Sequence, residues 1–189
     1  MEEKLNEALE KDEKLLWSGR PEPFETLDKT HKSPFIKSTV ITLVVSLGLI
    51  AAYLSFTLRG GAETKVGLVV IIALLAAYMV ASTFLHSRQL RTRMGYAITD
   101  RRLILIKDEA KGVPYSQIPI AAMKTDADGH STLLCGEYAI KSAPRKWRGS
   151  ALLGGRMNSE TGLCDELVMY AIPEPERVRE ILKPYLTLN

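Results

Sequence analysis

The chain has 189 residues, 46% hydrophobic and 25% charged, with a formal net charge of +3. So small a positive excess leaves no electrostatic footprint for nucleic acid, and the bulk figures alone would fit one ordinary soluble domain. Their distribution does not. Charges fill roughly the first 37 positions and everything from Arg88 onward, whereas 40–58 and 66–85 contain no Asp, Glu, Lys or Arg.

Segment 1–39 comes first. Leu5, Ala8, Leu9, Leu15, Leu16 and Trp17 fall on one side of a helical projection, with Gly19, Pro21 and Pro23 to end it. This predicts an amphipathic helix of about four turns. Its polar face is mostly acidic, which disfavours an anionic lipid surface and favours docking on the chain's own cytoplasmic domain or on a neighbouring copy.

Each uncharged run is 19 or 20 residues long, which at about 1.5 Å per residue matches the roughly 30 Å hydrocarbon core. With the connector 59–65 they predict a transmembrane hairpin over 40–85. Gly48, Ala52 and Ser55 form a small-residue stripe on the first helix, and Ala73, Ala77 and Ala81 form another on the second. Such stripes let backbones approach, either within the hairpin or between copies of the chain. No ionisable residue lies inside either span, which argues against a channel or transporter. Lys29, Lys32 and Lys37 precede the first span and Arg88, Arg91, Arg93, Arg101 and Arg102 follow the second, against Arg59 and Lys65 between them. That asymmetry predicts both termini in the cytoplasm. Cys135 and Cys164 are then expected as free thiols in a reducing compartment.

From about residue 93 to 189 the period changes to two. A turn over 99–102 pairs Ile98 with Leu103 and Tyr96 with Leu105, placing these four on one inner face. Further strands are expected at 113–118, 120–125, 131–135, 137–141 and 163–172. The chain then closes on a helix that presents Val178, Ile181, Leu182 and Tyr185 at helical spacing. Several short strands followed by one helix predict a small antiparallel β-sandwich or open barrel, so the fold class is an α+β membrane protein.

Tyr96-x-Ile98-Thr99-Asp100-Arg101-Arg102-Leu103-Ile104, Leu16-Trp17-Ser18-Gly19-Arg20-Pro21 and Ile172-Pro173-Glu174-Pro175-Glu176 stand in one order around the apolar hairpin. In this the chain resembles the bacterial pleckstrin-homology-like (bPH) membrane proteins. The resemblance implies two nearly orthogonal antiparallel sheets with a C-terminal helix plugging one end, in a protein of the bacterial inner membrane. It leaves function open, because such scaffolds bind lipids, peptides and proteins alike.

No nucleophile elbow, phosphate-binding loop or metal-ligand spacing is traceable, so neither enzymatic activity, a cofactor nor a metal is expected. Asp126-Ala127-Asp128-Gly129 opens like a calcium loop but lacks the later ligands, and is expected as a polar turn. The run 141–156 stands out: Lys141, Arg145, Lys146, Arg148 and Arg156 surround Trp147 without an acid among them. It is expected as a loop loosened by Gly149, Gly154 and Gly155 that meets a protein partner or anionic lipid headgroups, or else stays solvated or salt-bridged to the acidic N-terminal segment. The leading expectation is a domain that binds protein, either copies of itself or a membrane complex that it helps to assemble. The alternative is a sensor of anionic lipid acting through 141–156.

Overall fold

The computed structural model describes residues 2–60 and 66–188. Both uncharged runs lie inside longer helices, α2 (Lys29–Gly60) and α3 (Val66–Arg93). Phe35 meets Phe84 edge to face at 5.6 Å, so the start of α2 lies beside the end of α3 and the two run antiparallel. Each is long and apolar enough to cross a membrane, and almost none of its apolar surface is buried within the molecule. The connector expected at 59–65 lies mostly outside the described residues.

The small-residue stripes do not form the contact between the helices. Gly48, Ala52, Ser55, Ala73, Ala77 and Ala81 are all exposed, and a Cβ added to Gly48 would meet nothing within 4 Å. The less exposed positions are Thr42, Ser46, Ile50, Tyr53 and Thr57 on α2, and Val69, Ile72, Ala76 and Val80 on α3. The contact thus falls on a different face, which carries small side chains of its own in Thr42, Ser46, Thr57 and Ala76.

The N-terminal segment also departs from expectation. Helix α1 (Glu2–Ala8) has only two turns, Asp12 adopts a left-handed φ of 67°, and the chain continues as strand β1 (Leu15–Gly19). Trp17 decides this. As a strand residue beside β2 (Gly95–Thr99) it becomes 6% exposed and joins the main core, a burial worth more than two further turns of helix.

Strands β3 (Arg102–Ile106) and β4 (Ala110–Pro114) complete an antiparallel sheet in the order β1-β2-β3-β4. The β2–β3 register is the expected one, with Ile98 opposite Leu103 and Tyr96 opposite Leu105, and all four lie in the main core. The opposite face carries Ala97, Ile104 and Ile106 and is covered by Leu5 and Leu9 from the α1 segment, so that segment docks on its own domain.

The second sheet has the order β5-β6-β8-β7, from β5 (Ala121–Thr125), β6 (Ser131–Cys135), β7 (Arg156–Met157) and β8 (Cys164–Met169). The strand expected at 113–118 is β4 followed by a single 3-10 turn at Tyr115–Gln117. The strand expected at 137–141 is a short helix, α4 (Tyr138–Lys141), entered through Gly136 at φ 78°. A Cβ at Gly136 would lie 2.2 Å from the Cys164 carbonyl oxygen, so only glycine lets the chain turn there. Strand β8 stops short of Ile172 because Ala171 has a left-handed φ of 52°. Helix α6 (Pro175–Leu182) then presses Val178 and Leu182 into the core.

Tyr96 ties the sheets together: its hydroxyl donates to the Tyr170 carbonyl and accepts the Tyr170 N–H, each at 3.0 Å. Among the described residues the sheets share no hydrogen-bonded edge, so they pack as an open sandwich and not as a closed barrel. Cys135 and Cys164 are free and buried, and burial raises both thiols, Cys164 to about 11.

Candidate functional site

The run 141–156 is where structure and expectation differ most. It is not a loop but α4 followed by α5 (Pro144–Leu153). Pro144 sits in the first turn of α5, where its missing N–H costs nothing, and Gly154 ends the helix at a left-handed φ of 76°. Helical spacing then divides the run. Trp147 is 1% exposed, donates from Nε1 to Ser142 Oγ at 3.0 Å, and joins Ala151 and Leu152 in the core. Arg148 is 6% exposed, while Lys141, Arg145, Lys146 and Arg156 remain at the surface. Lys141 is bonded to Glu137 at 2.9 Å, and Arg156 lies 3.8 Å from Glu166.

Arg148 is the hub of a buried joint between the sandwich and the near ends of α2 and α3. Its Nη1 donates to the Thr26 carbonyl at 3.0 Å, and its Nη2 donates to the Asp28 carboxylate and, at 3.1 Å, to the Tyr170 hydroxyl. That hydroxyl in turn donates to Asp126 Oδ2 at 3.0 Å. The guanidinium lies over the Phe24 ring at 4.2 Å, with Arg91 of α3 5.5 Å from the same ring. Arg91 also donates to the Phe24 carbonyl at 3.2 Å. Burial and the neighbouring acid push the Tyr170 phenol up, with Arg148 opposing them.

The β5–β6 turn completes the joint. Asp126 Oδ1 accepts the N–H groups of Asp128 and His130, the polar turn expected of this sequence. The Asp128 carboxylate accepts the N–H groups of Lys29 and Thr30, at 3.0 and 3.1 Å, and the Thr30 hydroxyl at 2.9 Å. Asp28 Oδ1 accepts the His31 N–H at 2.9 Å. Two carboxylates thus satisfy the orphan donors of the first turn of α2 and complement its dipole. The sandwich is fastened directly to the start of one long helix and the end of the other, and the basic residues Arg88, Arg91 and Arg93 that follow the second apolar run all lie within α3.

Oxygen and nitrogen atoms of Asp28, Asp126 and His130 lie within 4.8 Å of one another. As a metal centre this cluster fits poorly, because the Arg148 guanidinium already occupies Asp28 and the Tyr170 hydroxyl occupies Asp126. His31 Nδ1 lies 2.7 Å from Asp28 Oδ1, and its Nε2 is buried with no hydrogen-bond partner among the described residues.

A second node clamps the N-terminal segment. The Glu13 carboxylate receives Arg102 Nε at 2.9 Å and Nη2 at 2.8 Å, with the Thr99 hydroxyl at 2.7 Å. The Arg102 hydrogen bonds hold the Glu13 pKa down to about 2. Thr99 and Arg102 of the stretch 95–107 therefore serve this clamp. Sequence reasoning missed Phe24, Asp28 and Tyr170, and it read Asp126 and Asp128 as a polar turn without placing them at this joint.

Two open surfaces remain. On α4 and α5, Ile140 and Leu153 are 62% and 75% exposed, beside the surface cations of the run. Between β5 and α6 runs a groove of about 620 Å³ lined by Met123, Arg179, Glu180, Lys183 and Leu186 to Leu188. Compared with known proteins, the chain matches no family model, no curated protein and no solved structure.

Proposed function

We propose that the chain is a non-enzymatic membrane protein whose α2–α3 hairpin spans a bacterial inner membrane and whose PH-like sandwich binds another protein on the cytoplasmic side. The observation that carries this reading is the pair of antiparallel helices with apolar surface open along their length, fastened at one end to a folded domain. An open apolar area of that size has no place in water and matches lipid. The Asp28 and Asp126 carboxylates and the Tyr170 phenol are engaged with Arg148 and with one another inside the joint. Burial of Trp147 and Arg148 takes the aromatic anchor and one cation away from lipid, which favours a protein partner over headgroup sensing.

One observation favours the lipid reading. Helix α5 packs against α3, whose buried residues Ser87 and Leu90 follow directly on the apolar run. Arg145, Lys146 and Leu153 of α5 are exposed, and cations near an anionic leaflet are attracted to it. The two readings separate with a photo-crosslinking side chain placed at Lys146 or Met123 of the full chain in native membranes. Discrete protein adducts of reproducible mass support the protein-binding reading. Adducts to lipid alone, lost when anionic lipid is depleted, would replace it with the lipid one.

A further inference from the structure

Strand β5 is an edge, and its pairing fixes which of its backbone groups are open. The Gly136 N–H bonds to the Ile120 carbonyl and the Asp126 N–H to the His130 carbonyl, with Ala122 opposite Leu134 and Lys124 opposite Thr132 between them. In an antiparallel ladder, hydrogen-bonded pairs alternate with non-bonded ones. Residues 120, 122, 124 and 126 therefore turn their N–H and C=O groups toward β6, and Ala121, Met123 and Thr125 turn theirs to the free edge. Leu188 already forms a parallel bridge with Ala121. The edge thus accepts an extended chain in this very structure, and beyond that bridge the outward edge at Met123 and Thr125 pairs with no strand among the described residues.

What flanks this edge is selective. Met123 and Leu186 give the groove an apolar floor, and Arg179 and Lys183 project from α6 along its side. Neither cation has an ion-pair partner among the described residues, and the acid between them, Glu180, leaves an excess of one positive charge. Natural sheets usually blunt an exposed edge. This one carries no proline and no lysine on its outward positions, and it sits beside a groove of about 620 Å³.

We propose that the β5 edge and the β5–α6 groove form a docking site for an extended acidic segment of a partner protein, which adds as a strand beside Met123 and Thr125. Main-chain bonds to β5 hold the segment. Apolar side chains on one face contact Met123 and Leu186, and carboxylates on the segment meet Arg179 and Lys183. The proposal rests on the protein-binding reading above and adds where the partner docks and with what chemistry.

The test uses the full chain in lipid nanodiscs and fluorescein-labelled ten-residue peptides: alternating Val and Asp, alternating Val and Lys, and the Val/Asp peptide N-methylated at every second residue. Fluorescence anisotropy should show the Val/Asp peptide binding at least tenfold tighter than either of the others. Met123→Pro removes one outward N–H without touching the β6 ladder, and Arg179→Glu with Lys183→Glu inverts the charge. Each variant should weaken binding tenfold or more while the melting temperature stays within a few degrees. If Met123→Pro melts early, the N-methylated peptide carries the same question on the wild-type chain. Equal binding of the acidic and basic peptides, or of the N-methylated and plain ones, would overturn the proposal. Dimerisation of the chain that Met123→Pro abolishes, without peptide binding, would overturn it in favour of a second copy. Protein adducts from Lys146 but none from Met123 would sink this site and leave the protein-binding reading standing.

Discussion

Replacing Arg148 by Met tests the joint directly. The variant keeps the length and much of the stacking surface over Phe24 and removes the charge. Asp28 is then left 7% exposed with no cation, and the Thr26 carbonyl and Tyr170 hydroxyl each lose a donor. Removing one partner of a buried pair costs about 3–5 kcal/mol, enough to lower the melting temperature of a domain this size by about 10 °C or more. Arg145→Met, one turn away on the exposed side of the same helix, should stay within about 0.5 kcal/mol. Trp17 and Trp147 are both buried, so intrinsic fluorescence during denaturation in detergent reports the loss. Arg148→Met combined with Asp28→Asn should recover part of the stability, because the uncompensated charge is gone. Similar melting of the Arg148 and Arg145 variants would refute the joint and return 141–156 to the status of a surface loop.

Glu13 supplies a pH dependence. Its folded pKa of about 2 lies below the ordinary glutamate value of 4.5, so its contribution, on the order of 3 kcal/mol, is complete above about pH 4.5 and is lost as pH falls toward 2. Hydrogen exchange in α1 and β1 should rise over that window, and Glu13→Gln should flatten the dependence. Gly136→Ala puts a Cβ against the Cys164 and Asp165 carbonyl oxygens at a φ of 78°, so it should cost about 2 kcal/mol or more, seen as early thermal unfolding. Leu105→Asp buries a carboxylate in the core and should abolish protease resistance. Lys107→Asp loses only a bond to the Leu152 carbonyl and should be mild.

The register of β2 and β3 was legible because apolar alternation and a short turn leave one pairing that buries Tyr96, Ile98, Leu103 and Leu105 together. The two apolar runs were legible for the same kind of reason, since nineteen or twenty residues without a charge answer to one solvent. Trp17 was not legible: its helical position was as good as its strand position, and only the open edge of β2 decides between them. The basic run misled in an instructive way. Pro144 and Gly154 already bracket a ten-residue helix, and Trp147, Ala151 and Leu152 share one face of it. Reading the glycines as flexibility and the cations as one patch hid the fact that Arg148 points the other way. The role of Asp28, Asp126 and Asp128 was not legible in the sequence, because each is an ordinary turn or capping residue until the fold brings it to α2.

The central claim is that the hairpin crosses a membrane and holds the sandwich on the inner side. Single cysteines at Gly61 and at Lys146, added to a chain in which Cys135 and Cys164 are changed to Ala, test it in whole cells whose outer membrane, if present, has been permeabilised. A membrane-impermeant thiol reagent should label the Gly61→Cys chain at once and the Lys146→Cys chain only after the inner membrane is broken. Labelling of both in intact cells, or protection of both until lysis, would contradict the account.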